Sequence, residues 1–163
     1  YREQLSAAYL ARAMEFALVQ DYSSAIDDVT KAVLIDEQLY FGYFCRAYWR
    51  YKLFEYKRAM GESFDIAEIE LMLRDYDYII TNESDFSFAY YNKANMICLQ
   101  RDFRSAISYY TKAIAIDNDF AEAYFNRGLT YIYINEIDKG LADLSKAGEL
   151  GIYQAYNLIS RFQ

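Results

Sequence analysis

The chain has 163 residues, with 17 Lys and Arg against 24 Asp and Glu, a formal net charge of −7, and neither His nor Pro. That length suits one compact domain or a short repeat array, and an apolar share of 55% with 19% aromatics excludes a disordered chain. The acidity argues against a general grip on nucleic acid or on anionic membranes, both of which need a basic surface. Without His, a Ser-His-Asp triad, a Cys-His pair, an HExxH site and imidazole-held zinc or haem are excluded.

The chain opens at Tyr1 inside a polar-apolar helical pattern and without Met, so it reads as a piece of a longer protein whose targeting signal could lie upstream. A first copy of a repeat starts at Ser6 and contains "AAYLARAMEFALVQDYSSAIDDVTKAVLID". The first ends at about residue 39, and a second occupies residues 40–86, 13 residues more than the 34 of the first and third copies. The third, residues 87–120, and the fourth, 121–152, align without a gap at a spacing of 34. Each copy reads as two amphipathic helices joined by a short polar turn. A further helix over about 152–162 would cover the apolar end of the last copy.

The copies agree in register. Position 4 is Tyr9, Tyr43, Tyr90 and Tyr124; position 8 is Ala13, Ala47, Ala94 and Gly128. On the second helices, small residues fall at Ala25, Ala106 and Gly140, then at Ala32, Ala113 and Ala147, with Val29, Tyr110 and Leu144 between them. Small residues at these places let two helices lie close while the large ones fill the grooves beside them. This pattern resembles the tetratricopeptide repeat, a helix-turn-helix unit of 34 residues. The usual closing Pro is absent, and Glu37, Ser84, Asn118 and Ile152 stand in its place. Acidic and turn-forming residues (Asp36-Glu37, Asn82-Glu83-Ser84-Asp85, Asp117-Asn118-Asp119) are expected to cap the helix that follows each. In the long copy, the extra residues should lengthen both helices by about two turns each, with Asp65 and Glu68 forming a capping box.

The resemblance implies an all-α, right-handed solenoid of antiparallel helical hairpins with a concave face lined by the first helix of each copy. By resemblance, positions 2, 5, 9, 12 and 13 face a ligand. They include Ala7, Leu10, Met14, Ala17 and Leu18 in the first copy. The candidate peptide-binding residues are Phe44, Tyr48, Tyr51, Phe88, Tyr91, Asn95, Phe125, Leu129 and Tyr133, an aromatic set poor in charge. The family's carboxylate clamp for chaperone tails has partial counterparts in Asn92 and Asn126 but lacks its paired cations, so that ligand is rejected. A basic residue recurs at position 7 (Arg12, Arg46, Lys93, Arg127). An anion ladder and a structural pairing with an acid on the partner helix are the two readings, and the second is favoured.

Between Phe44 and Arg58 five cations meet one anion, a local +4. With Trp49, Phe54 and Phe64 nearby, the extended hairpin offers a second contact at Phe54, Lys57 and Arg58 for an acidic partner, against a solvated helix face. Cys45 and Cys98 stand alone, outside any disulfide framework or metal spacing. The acidic pairs sit one or two apart and do not share a helix face. No cofactor, metal or catalytic residue is expected.

The functional expectation is a non-catalytic scaffold that holds an apolar or aromatic peptide or helix in its groove. The alternative is a structural end segment of a longer solenoid, or a self-association module forming a homo-oligomer. A protein or peptide partner is expected, with neither nucleic acid nor direct membrane insertion. The Tyr- and Asp-rich style resembles repeat proteins of gut-type Bacteroidetes and so implies a bacterial source. The compartment stays open: cytoplasmic, or periplasmic if the parent chain carries an upstream signal.

Overall fold

The computed structural model describes residues 1–63 and 65–162. Every regular element among them is helical: α1 (Arg2–Leu18), α2 (Tyr22–Ile35), α3 (Tyr40–Ala59), α4 (Ile66–Asn82), α5 (Ser87–Leu99), α6 (Phe103–Ile116), α7 (Ala121–Tyr133), α8 (Ile137–Glu149) and α9 (Gln154–Ile159). A 3-10 turn at Ser160–Phe162 follows α9. The helices form two compact units, α1 to α4 within Tyr1–Ser84 and α5 to α9 within Asp85–Gln163. Inside each unit every helix packs on the next in sequence. The fold is all-α.

Apolar spacing explains which faces are buried. In α2, Ala25, Val29, Ala32 and Val33 recur at helical intervals and are all buried. The small residues of the repeat stand where helices cross: Ala13, Ala47, Ala94, Ala25, Ala106, Ala32, Ala113 and Ala147 are fully buried. Gly128 and Gly140 bring the backbones of α7 and α8 into contact. A Cβ built on Gly140 would lie 2.8 Å from the Gly128 carbonyl oxygen, and one on Gly128 would lie 2.9 Å from that of Gly140. The wedges Val29, Tyr110 and Leu144 fill the space beside these crossings.

The turn inside a repeat is the same in three copies. Gln20, Arg101 and Asn135 adopt left-handed φ values of 62°, 64° and 66°. The next amides, of Asp21, Asp102 and Glu136, then donate back to the carbonyls of Phe16, Ile97 and Tyr131. This closes the first helix by satisfying a carbonyl left open at its end. Asp21 and Asp102 cap the second helix by accepting from the Ser24 and Ser105 amides, each at 3.2 Å. In the long copy Gly61, at φ 76°, makes the equivalent turn.

Three local expectations are corrected. Asp36 and Asp117 accept from the amides of Gln38 and Asp119, so they form tight turns at the ends of α2 and α6 rather than capping the helices that follow. A short carboxylate reaches an amide two residues on and stops short of the next helix. Asp65 does cap α4 through the Ala67 amide, but Glu68 pairs with Lys57 Nζ at 3.2 Å instead of closing a capping box. The extra residues are also shared unevenly. α3 has 20 residues against 13 in α5, while α4 has 17 against 14 in α6. The remainder lengthens their connection.

Candidate functional site

The first-helix face of the N-terminal unit is an aromatic stripe. Phe41, Phe44 and Tyr48 follow one another at intervals of three and four on α3, with stacked rings 6.3 Å apart in each step. Phe44 also meets the buried Tyr76 edge-on. Tyr51 continues the stripe; its hydroxyl donates to Glu55 at 2.7 Å, and its ring stacks on Phe54. The Lys52 ammonium lies 5.5 and 6.0 Å from the Tyr48 and Tyr51 ring centres. Beside the stripe is a cleft of about 280 Å³ lined by Met14, Ala17, Leu18, Tyr22, Tyr48 and Trp49. Leu18 is 83% exposed, Met14 45% and Tyr48 38%, so the cleft presents apolar surface to solvent.

In the C-terminal unit the candidate residues are engaged with one another and with their neighbours. Phe88 and Tyr91 both pack on Phe120, at 4.9 and 4.8 Å. Asn126 Nδ2 donates to the Tyr91 hydroxyl and to Asn95 Oδ1, each at 3.0 Å, and Tyr110 donates to the same Asn95 oxygen at 2.6 Å. This chain of neutral groups ties α5, α6 and α7 together. Burial raises the Tyr91 and Tyr110 phenols above their ordinary value, which keeps both as hydroxyl donors and acceptors. Asn92 donates within its own helix to the Phe88 carbonyl. Of the two carboxamides that partly match a carboxylate clamp, Asn126 thus has both N–H groups engaged inside the unit and Asn92 one of its two. Phe125 is half-buried against the core of Leu144, Ala147 and Ala155. Leu129 is exposed, and Tyr133 packs 4.4 Å from Phe103 while its hydroxyl accepts from Arg101 Nη2 at 2.9 Å.

Phe44, Tyr48 and Tyr51 thus share one face of α3, and Tyr91 with Asn95 share a network on α5. The residues missed by sequence reasoning are Tyr22 and Trp49. Tyr22 falls on a place the repeat gives to packing, and Trp49 directly follows the groove residue Tyr48; both stand in the cleft wall beside Met14 and Leu18. Their large aromatic side chains were the signal available.

The second contact on the extended hairpin is corrected at Phe54. Phe54 is 1% exposed, so it is a core residue. Lys57 is paired across the hairpin with Glu68, while Arg58 is exposed. The local +4 disperses as well: Arg46 and Arg50 both engage the buried Asp75, and Lys52 pairs with Glu55. Phe64 lies outside the described residues.

The position-7 cations are structural. Arg12, Arg46 and Arg127 each present Nε and Nη2 to both oxygens of Asp28, Asp75 and Asp143, which stand at one repeat position and are all buried. The guanidinium carbons also lie 5.6, 5.2 and 5.6 Å over the rings of Tyr9, Tyr43 and Tyr124. In the third copy the acid is replaced by Tyr109, whose hydroxyl accepts from Lys93 at 2.9 Å.

Cys45 is buried and its thiol is pushed up to about 12 by desolvation; both cysteines are free. Among the described residues no group of three or more His, Cys, Asp or Glu could hold a metal ion. Among them, too, no helix is long and apolar enough to cross a membrane.

Two family models match the sequence: the TPR repeat over residues 94–132 and the tetratricopeptide repeat over residues 121–150. No curated protein matches the sequence. Among solved structures, MamA from Desulfovibrio magneticus is 14% identical with a TM-score of 0.74, covering 91% of this chain and 77% of its own. A thermophilic TPR protein of Thermus thermophilus is 17% identical with a TM-score of 0.70, covering 90% of this chain and 74% of its own. A tetratricopeptide repeat protein of Parabacteroides merdae is also 17% identical with a TM-score of 0.70, covering 91% and 54%. At these identities the likeness is one of fold.

Proposed function

We propose that this chain, whose residues 94–150 match tetratricopeptide-repeat models, is a non-catalytic scaffold that takes an apolar or aromatic segment of a protein partner against its first-helix face. The observation that carries this reading is the cleft of Met14, Ala17, Leu18, Tyr22, Tyr48 and Trp49. Its lining holds no charged side chain, and three of its members are exposed. Aromatic anchors in such a cleft are the residue types that dominate binding energy at interfaces. A charged tail would lose its hydration there without gaining a counter-ion.

Selection of peptides from a random display library against this chain tests the proposal, with the single Trp49 as an emission reporter. Enriched peptides should be apolar, should shift Trp49 emission, and should lose binding to a Met14→Glu, Tyr48→Ala double variant of unchanged helicity. Peptides that bind the double variant equally well would overturn it.

A second reading, a structural or self-associating end segment, is favoured by the opposite face of α1. Position 3 of the repeat is covered in later copies: Gly42 packs on Val33 and Leu39, and Ala123 is fully buried. Its counterpart Ala8 is exposed, in a cleft of about 320 Å³ with Leu5, Tyr9 and Arg12. A solution mass of twice the chain, reduced to one by Ala8→Glu, would support self-association through this face; a monomer at all concentrations would exclude it.

A further inference from the structure

The turn of the first repeat lacks the tyrosine that lies, 61% exposed, over the matching turn of the other unit. In the C-terminal unit, position 13 of the following first helix is Tyr133. Its ring packs 4.4 Å from Phe103, at position 17 of the preceding repeat, and its hydroxyl accepts from Arg101 at position 15. In the N-terminal unit the matching residues are Lys52, Tyr22 and Gln20. Lys52 brings no ring, and its ammonium is drawn over Tyr48 and Tyr51. The insertion, meanwhile, carries α3 past the turn, so that Leu53 and Tyr56 stand as a second wall. The result is a cleft of about 280 Å³ lined by Gln20, Asp21, Tyr22, Ser23, Leu53 and Tyr56.

We propose that this cleft binds a tyrosine side chain of a partner protein flanked by a basic residue, in the way the other unit binds its own Tyr133. The volume falls just under the ~300–1,000 Å³ typical of small-molecule sites and suits one side chain. Tyr22 supplies the packing face that Phe103 supplies to Tyr133, and aromatic pairs favour such tilted or offset contacts. Gln20 occupies the place of Arg101 and offers its carboxamide NH₂ to the incoming phenol oxygen. Charge selects the flanking residue. Asp21 is exposed at the cleft mouth, its carboxyl held below the ordinary value by the Ser24 hydrogen bonds, and the chain as a whole is acidic. Of the cations next to the cleft walls, Lys52 is already paired with Glu55 and Lys57 with Glu68. A neighbouring Lys or Arg on the partner would meet Asp21, whereas an acidic neighbour would be repelled.

This cleft is separate from the first-helix groove, which it meets only at Tyr22. The test is a two-dimensional amide NMR titration of the whole chain with N-acetyl-Lys-Tyr-Lys-amide. Saturable shifts are expected at the amides of residues 20–23 and 53–56, with none from the Lys-Ala-Lys counterpart and weaker ones from Glu-Tyr-Glu. Lys52→Tyr, which restores the residue found at Tyr133, should fill the cleft internally and weaken binding by about tenfold or more. Gln20→Gly, which keeps the left-handed turn while removing the donor, should weaken the tyrosine peptide but not its phenylalanine analogue. Retention of tripeptide binding in the Met14→Glu, Tyr48→Ala protein separates this site from the groove. Shifts elsewhere, equal shifts with the alanine peptide, or unchanged binding in Lys52→Tyr would overturn the proposal. So would concentration-dependent shifts of the same amides without peptide, which would assign the cleft to a second copy of the chain.

Discussion

Arg127 grips Asp143 from one helix to the next, with Nε and Nη2 at 2.7 and 2.8 Å from the two carboxylate oxygens. The same fork joins Arg12 to Asp28 and Arg46 to Asp75, so it is a device of the repeat. Both side chains of the Arg127 pair are largely buried, at 15% and 10% exposure. Removing one partner leaves a desolvated charge. Asp143→Ala should therefore cost about 3 kcal/mol, at the lower edge of the ~3–5 expected when a buried pair is broken, because Arg127 keeps some access to water. Tyr109→Phe, in the copy that lacks the acid, removes one hydrogen bond and should cost about 1 kcal/mol or less. Urea unfolding of the two variants makes the comparison; equal losses would show that the fork is not the main support of the hairpin.

Gly140→Ala is expected to destabilise the C-terminal unit by about 1–3 kcal/mol. The added methyl would meet the Gly128 carbonyl oxygen at 2.8 Å and Ile132 at 2.5 Å. A side chain can rotate away from such a contact, but a helix backbone cannot. Gly61→Ala probes a different cause. No atom of the described residues lies within 4 Å of its Cβ position, so a loss there is assigned to the left-handed φ of 76°. Thermal unfolding of both variants separates crowding from backbone strain.

The acid limit of stability should depend on Asp28. The Arg12 hydrogen bonds, then Lys31, hold its carboxyl below the ordinary carboxylate value, against the opposing effect of burial. A carboxyl depressed on folding contributes stability that is present above its unfolded pKa of ~3.9 and is lost as pH falls through the lower folded value. Asp28→Asn should lower stability at neutral pH and flatten its decline between about pH 5 and pH 2. A parallel decline in variant and parent would exclude this linkage.

Cys45 should resist thiol reagents in the folded protein. Burial raises its thiol to about 12, so the thiolate that reacts is scarce at neutral pH. Cys98 is only half-buried, with Sγ 3.7 Å from the Tyr110 hydroxyl and 3.8 Å from that of Thr130, and should react first. Labelling rates followed by mass spectrometry of the modified peptides decide the order. The sign for stability follows from the same shift. A thiol raised on folding stabilises below its unfolded value of ~8.5, and that contribution is lost as pH rises above it.

Much of the scaffold was legible because the repeat acts through side-chain size. Ala94 and Ala106 can be read from one line of sequence as places where helices approach, since nothing larger would fit. The role of Arg12, Arg46 and Arg127 was legible too, as a cation recurring in register with an acid on the facing helix. Phe54 was not. Its type and spacing allow it to face out or in, and only the packing of the lengthened hairpin turns it inward. The same holds for Asp36 and Asp117, whose carboxylates could reach forward or fold back on their own turn.

By itself, the sequence determined that this protein is built of helical hairpins and where their helices touch. Periodicity and residue volume are local properties, repeated in each copy. The tertiary structure decided which surface remains open. It laid Tyr133 over one repeat turn and left the matching turn without a ring beside Lys52, and it absorbed Arg46, Arg50, Lys52 and Lys57 of the long hairpin into ion pairs. Exposure and charge neutralisation belong to pairs of elements, so no single stretch of sequence carries them.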